Sequence, residues 1–237
     1  MKSSDFTPFF FQAGLWITGH EPGVREIMGL VLGPWATRLD GEPVVMPPAP
    51  EMPSNIPRVV IASRDRQWKL QISLVRFDLF WELKTDNARM EGEGFTEAAI
   101  NTIEPFLQLS NELAVTRLAY VVRRYAPTEE PGQHLARYFC RDELLSGPLN
   151  RPSNFELHAH KVFRPQGAPE VNSWVRWKVG SRSERDRENP CVVVEQDLNT
   201  LPSEGVRFSY DDVTEFYGAL HKEADEILQV YLPEGGP

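Results

Sequence analysis

His158 and His160 stand two residues apart in a stretch rich in β-forming residues, Phe155–Arg164. Side chains at i and i+2 of a strand share a face, so both imidazoles could reach one metal ion. Such a site needs a third donor, and Glu156 shares their face. Phe155, Leu157 and Ala159 alternate with these polar residues, which favours a plainer reading: a strand with a wet outer face and an apolar inner one. The segment Val115–Ala126, VTRLAYVVRRYA, carries Arg117, Arg123 and Arg124. A guanidinium fork binds phosphate or carboxylate bidentately, so these arginines join His158 and His160 as candidate ligand-binding residues. Alternation puts Arg117 and Arg123 on one face with Ala119 and Val121, and Arg124 on the other with Leu118, Tyr120 and Val122. Ion pairs with Asp78, Glu82, Glu195 or Asp197 on neighbouring strands are the plainer role for the same arginines. Glu195 and Asp197 also share a face, a spacing suited to metal binding or acid–base work, but no partner cluster accompanies them. His221, next to Leu220 on an apolar helical stripe, reads as a hydrogen-bonded packing residue.

No G-x-S-x-G, G-x-x-x-x-G-K-[ST], G-x-G-x-x-G, H-E-x-x-H or C-x-x-C occurs. Serine-hydrolase, P-loop, dinucleotide-binding and zinc-protease readings therefore lack support. No catalytic residue, metal site or cofactor is assigned from the sequence. The 237 residues, 41% hydrophobic and 25% charged, are enough to bury a core without staples. A formal net charge of −9 argues against broad contact with nucleic acid or an anionic membrane. Cys140 and Cys191 read as reduced, buried small side chains rather than a disulfide framework. The N-terminal apolar run is short, without a clean cleavage site, and no stretch approaches the roughly 20 apolar residues of a membrane helix. A cytoplasmic protein is the expectation.

The elements that must position these residues follow from hydrophobic period and turn chemistry. Phe6–Thr18 reads as a strand and Pro22–Leu32 as a short helix. His20-Glu21-Pro22-Gly23 separates them. Asp40–Pro57 holds Pro43, Pro47, Pro48, Pro50, Pro53 and Pro57 and reads as an extended loop rather than a domain linker. Val59–Ala62 is a strand, Arg64–Arg66 its turn, and Trp68–Leu83 one long strand. Its apolar face carries Val75, Phe77, Leu79, Trp81 and Leu83; its mixed face carries Ile72, Leu74, Arg76, Asp78, Phe80 and Glu82. Phe95–Ala114 is helical, with Thr96 as N-cap and a kink or a break expected at Pro105. Val115–Ala126 is a strand, and Thr128–Leu145 a loop with a short helix. Phe155–Arg164, Ser173–Arg182 and Cys191–Thr200 are strands, with Ser183–Asn189 as a solvated turn. Ser209 and Asp212 form a capping box. Behind it Val213, Phe216, Tyr217, Leu220, Ala224, Ile227 and Tyr231 trace one helical stripe. The order is β-α-β-β-α-β, a short helix, then β-β-β-α: an α+β protein with a largely antiparallel sheet of about seven strands and helices mainly on one side. One domain over residues 1–237 is expected, with subregions 1–127 and 128–237 sharing a core.

The hairpin ending Phe80-Trp81, the Arg117–Tyr125 strand with its Arg124-Tyr125 pair, and Glu195-Gln196-Asp197 ahead of a final helix bearing His221 resemble a sporadically distributed, uncharacterised family of bacterial proteins. The resemblance spans nearly the whole chain. In that family the first strand commonly reads R-Y-I-N and the later one L-D-I-D; here Arg124-Tyr125-Ala126-Pro127 lacks the asparagine, and Glu195-Gln196-Asp197-Leu198 only approximates the second. The resemblance implies the α+β fold and no particular activity.

Missing catalytic signatures and aromatics on strands point to a non-enzymatic binding or protein-interaction protein. Phe80, Phe163 and Trp174 are its candidate contact residues, and its partner is a protein or a second copy, as in a homodimer. An enzyme acting on a small phosphorylated or anionic ligand, using the arginines and His158/His160, is the alternative. A chaperone-like peptide groove is a third. Neither a membrane nor a nucleic acid is expected as partner.

Overall fold

In the computed structural model, residues 1–19, 22–46, 51–85, 88–184, 187–203 and 205–233 are described, with side chains 183, 184 and 187 outside that description. His20, Glu21, Pro47, Pro48, Pro50 and the centre of Ser183–Asn189 lie outside the described residues, as does that part of the expectations for them. The elements run β1 (Thr7–Thr18), α1 (Val24–Leu32), β2 (Val44–Val45), β3 (Val59–Ala62), β4 (Trp68–Ile72), β5 (Arg76–Glu82), α2 (Gly92–Leu107) and β6 (Ala114–Pro127). They continue with α3 (Pro131–Phe139), α4 (Asp142–Leu145), β7 (Leu157–Phe163), β8 (Val171–Glu184), β9 (Arg187–Thr200) and α5 (Tyr210–Tyr231). The fold is α+β.

All the described strands join one sheet of nine, in the order β2-β3-β4-β5-β1-β6-β9-β8-β7, with every neighbour antiparallel. β5 and β6 both run against β1 and so run parallel to each other, joined by α2: a split β-α-β unit with β1 in its middle. The remaining strands add as two meanders, β3-β4-β5 on one flank and β7-β8-β9 on the other. The sheet thus runs through both expected subregions, stitched where β6 pairs β9.

The strand count corrects the expected seven. The stretch Trp68–Leu83 is a hairpin, not one strand: it turns at Ser73–Val75, where Ser73 N bonds Arg76 O at 2.8 Å. Turning there places Ile72 opposite Phe77, on the buried face rather than the mixed one. The other added strand, β2, is two residues long and lies in the proline-rich segment. Thr96 is not an N-cap: α2 starts at Gly92, and the buried Thr96 hydroxyl reaches the Tyr217 carbonyl at 3.5 Å. The helix also continues through Pro105 to Leu107 rather than breaking.

Period-2 alternation in β1 sends Phe11, Ala13, Leu15 and Ile17 to one side, where α2, α3 and α5 lie on the sheet. Phe11 stacks on Phe95 at 5.0 Å between centroids, and Phe77 meets Phe106 at 4.7 Å. α5 opens on its capping box, Ser209 Oγ accepting from Asp212 N at 3.2 Å. It then buries Val213, Phe216, Tyr217, Leu220 and Ala224 at 0% exposure. Val213, Phe216 and Leu220 are each worth ~1.5–3 kcal/mol of burial. The Tyr217 hydroxyl donates to the Gly14 carbonyl at 3.1 Å, pinning α5 to the middle strand.

Candidate functional site

Among the described residues the other face of the sheet carries no helix, and the register lays its side chains in rows. One row reads Glu82, Phe10, Arg123, Glu195, Arg176, His158. The next reads Phe80, Gln12, Val121, Asp197, Trp174, His160. A third runs Asp78, Gly14, Ala119, Asn199, Asn172, Val162, and beyond it stand Arg76, Trp16 and Arg117. Small residues between long ones, such as Ala119 and Val193, are nearly covered, while Phe10, Gln12, Trp16, Phe80, Arg117 and Trp174 remain half-buried.

Charged pairs and aromatic rings interleave across this face. Glu195 sits between two arginines, with Arg123 Nε at 2.6 Å and Arg176 Nη1 at 2.5 Å. Burial alone would raise its carboxyl, but Arg123, Arg176 and Lys178 outweigh that and hold it below the usual carboxylate range. Asp78 goes the other way: burial pushes it up against the opposing pull of Arg76 and the hydrogen bond from Gln12 at 2.8 Å. Arg76 Nε is 2.7 Å from Asp78 Oδ2, an ion pair by distance that is not aligned as a hydrogen bond. A Cβ at Gly14 would stand 3.0 Å from Asp78 Oδ1, so a glycine there leaves the carboxylate its place across the strand.

Cations lie over the rings. Arg76 and Arg117 cover Trp16 at 4.2 and 4.5 Å, Arg123 covers Phe10 at 4.5 Å, and Lys69 approaches Phe80 at 5.7 Å. Trp174 has Arg176 at 5.6 Å on it and His160 stacked at 4.2 Å.

Six of the eight residues singled out from the sequence come together on this face: Arg117, Arg123, His158, His160, Phe80 and Trp174. Arg117 donates to Thr200 O at 3.0 Å and Asn199 Oδ1 at 2.5 Å. Arg124 is on the helical side, 3% exposed, donating to Gln196 Oε1 and paired with Asp225 of α5. Phe163 also faces the helical side, under Lys161 Nζ at 4.1 Å. His158 lies 3.6 Å from Glu156, while His160 Nε2 meets Asn172 Oδ1 at 3.2 Å. Among the described residues no group of three or more His, Cys, Asp or Glu side chains is placed to hold one metal ion. His221 rests on the Tyr217 carbonyl through Nδ1 at 3.2 Å. Gln12, Arg176 and Asn199 are further residues of this face: Arg176 and Asn199 alternate with Trp174 and Asp197 on their strands, while Gln12 shows only once β1 is in register with Phe80.

No family model and no curated protein matches the chain. Among solved structures, one described as "Methanococcus jannaschii TBP" aligns over 95% of this chain and 97% of its own, at 11% identity and a TM-score of 0.28. A likeness that slight carries no argument. No described helix is long and apolar enough to cross a membrane.

Proposed function

We propose that this chain is a non-enzymatic interaction protein that seats an acidic partner surface on the open face of its sheet. The observation that carries the reading is that face itself: aromatic rings under cations, in rows across six neighbouring strands, with no described helix over them. Arginine and aromatic side chains are the residues that anchor protein interfaces: the rings bury large area with few rotamers to freeze, and a guanidinium already stacked on a ring or paired with a carboxylate has less freedom left to lose. The face bears Lys69, Arg76, Arg117, Arg123, Arg176, Lys178 and Arg182, with Lys84 on Glu82, against Asp78, Glu82, Glu195 and Asp197, with Glu156 by His158, a formal +3 in a chain of −9. The rest of the molecule therefore holds −12, and the sheet face is the side an acidic partner approaches with least repulsion. The arginines already hold partners within the face or behind it, which suits a broad preorganised surface better than a cleft around one small anion.

The test is affinity capture from the cells that make the protein, comparing the unaltered chain with Phe80→Ala/Trp174→Ala and with Glu97→Ala on α2. The reading requires a partner that is lost with the sheet variant and kept with the helix variant. A partner retained by the sheet variant and lost with the helix variant overturns it.

A further inference from the structure

The two edges of the sheet are built differently. At one end β2 is two residues long and follows Pro43, a short edge of the kind that resists further pairing. At the other end β7 has seven residues, Leu157–Phe163, with no proline. Its ladder to β8 uses one side of its backbone, and among the described residues no other backbone bond reaches it. An edge left this open is a template for another strand. Val162, on the open-face side of β7, is 45% exposed, and on the helical side Val230 of α5 is 83% exposed. Between β7 and α5 runs a groove of about 280 Å³, lined by Ala159, Lys161, Glu223, Glu226 and Val230 among others.

We propose that β7 pairs antiparallel with β7 of a second copy, about a two-fold axis that passes between His160 and the partner's His160, joining two nine-stranded sheets into one. This register sets His160 opposite the partner's His160, Ala159 opposite the partner's Lys161, and Leu157 opposite the partner's Phe163. It is the register that brings all seven residues of both strands into the ladder. The surface is self-complementary, as a two-fold interface demands. Leu157, Ala159, Lys161 and Phe163 share the helical side, so the partner's Lys161 enters beside Ala159, at the groove where Glu223 and Glu226 lie. Burial and the neighbouring Glu226 push the Glu223 carboxyl up, and Lys161 opposes them, so a second lysine relieves a crowded pair. The axis stands perpendicular to the sheet. Both helical layers then lie on one side and both open faces on the other, doubling the face rather than covering it. Failure of the dimer leaves the docking reading of that face untouched.

Two measurements test it, in a Cys140→Ala background because Cys140 is half-exposed. Directly opposed residues of an antiparallel pair have Cβ atoms ~4.5–5.5 Å apart. His158 and the partner's His158 would be offset by four residues, ~13 Å along the strand. A short bismaleimide therefore cross-links His160→Cys into dimers and leaves His158→Cys largely monomeric. In sedimentation velocity between ~1 and ~100 μM, the range of a small interface, the unaltered chain moves from monomer to dimer. Lys161→Glu weakens the dimer about tenfold, and adding Glu223→Lys and Glu226→Lys restores it. A monomer throughout, equal cross-linking at both positions, or no rescue by the charge swap overturns the proposal. Thermal melts within a few degrees of the parent show that each variant has folded.

Discussion

Glu195→Gln is the most exacting test of how the open face is held together. Glu195 is 6% exposed and takes charge-assisted contacts from Arg123 and Arg176 at 2.6 and 2.5 Å. Hydrogen bonds to a charged group are worth ~1.5–3 kcal/mol each. Here the arginine side chains are 40% and 34% exposed, so water replaces part of what is lost. Glutamine also keeps one acceptor oxygen. The expected net loss at pH 7 is about 1–2 kcal/mol, or roughly 2–8 °C in Tm for a chain of this size. The pH dependence carries the diagnosis. The folded carboxyl lies below its ordinary value, so its contribution is fully present above the unfolded pKa and vanishes as pH falls through the folded one. Urea titrations of both proteins should show a constant gap from pH 8 to about 5, closing below about 4.5. A variant as stable as the parent at pH 7, or a gap that persists at pH 3, would refute the paired-arginine account.

The Tyr120 hydroxyl is buried without a hydrogen-bond partner among the described residues, and burial pushes its pKa up. Tyr120→Phe should therefore leave stability unchanged or raise it by up to about 1 kcal/mol in the same titration, and a loss beyond that would mean that the hydroxyl is bonded. Gly19 has φ +93°, and a Cβ there would stand 2.0 Å from the Glu112 carbonyl oxygen. Gly19→Ala should cost about 2 kcal/mol or more by thermal melt, and a neutral result would contradict the turn geometry.

Elements specified by local chemistry are legible in the sequence. Val59–Ala62 and the α5 helix behind Ser209 and Asp212 are such cases. The Trp68–Leu83 stretch misled because alternation continues across Ser73–Val75, a turn with no Gly, Pro, Asn or Asp to mark it. β2 was hidden because two residues among prolines show no period. The candidate site divides the same way. Alternation alone separated Arg124 from Arg117 and Arg123, and burial agrees. That Phe80, Arg123, Trp174 and His160 share one surface depends on β1 lying between β5 and β6, a pairing of strands far apart in the chain. Nothing near any of those residues encodes it.

The central claim is that the open face receives a partner. Its most direct measurement is site-specific photo-crosslinking in living cells, with a photoreactive phenylalanine analogue at Phe80 or Trp174 on the face and at Glu97 on α2. The account predicts one discrete cross-linked species from Phe80 and Trp174 and none from Glu97. Cross-links from Glu97 with none from the two face positions would contradict it.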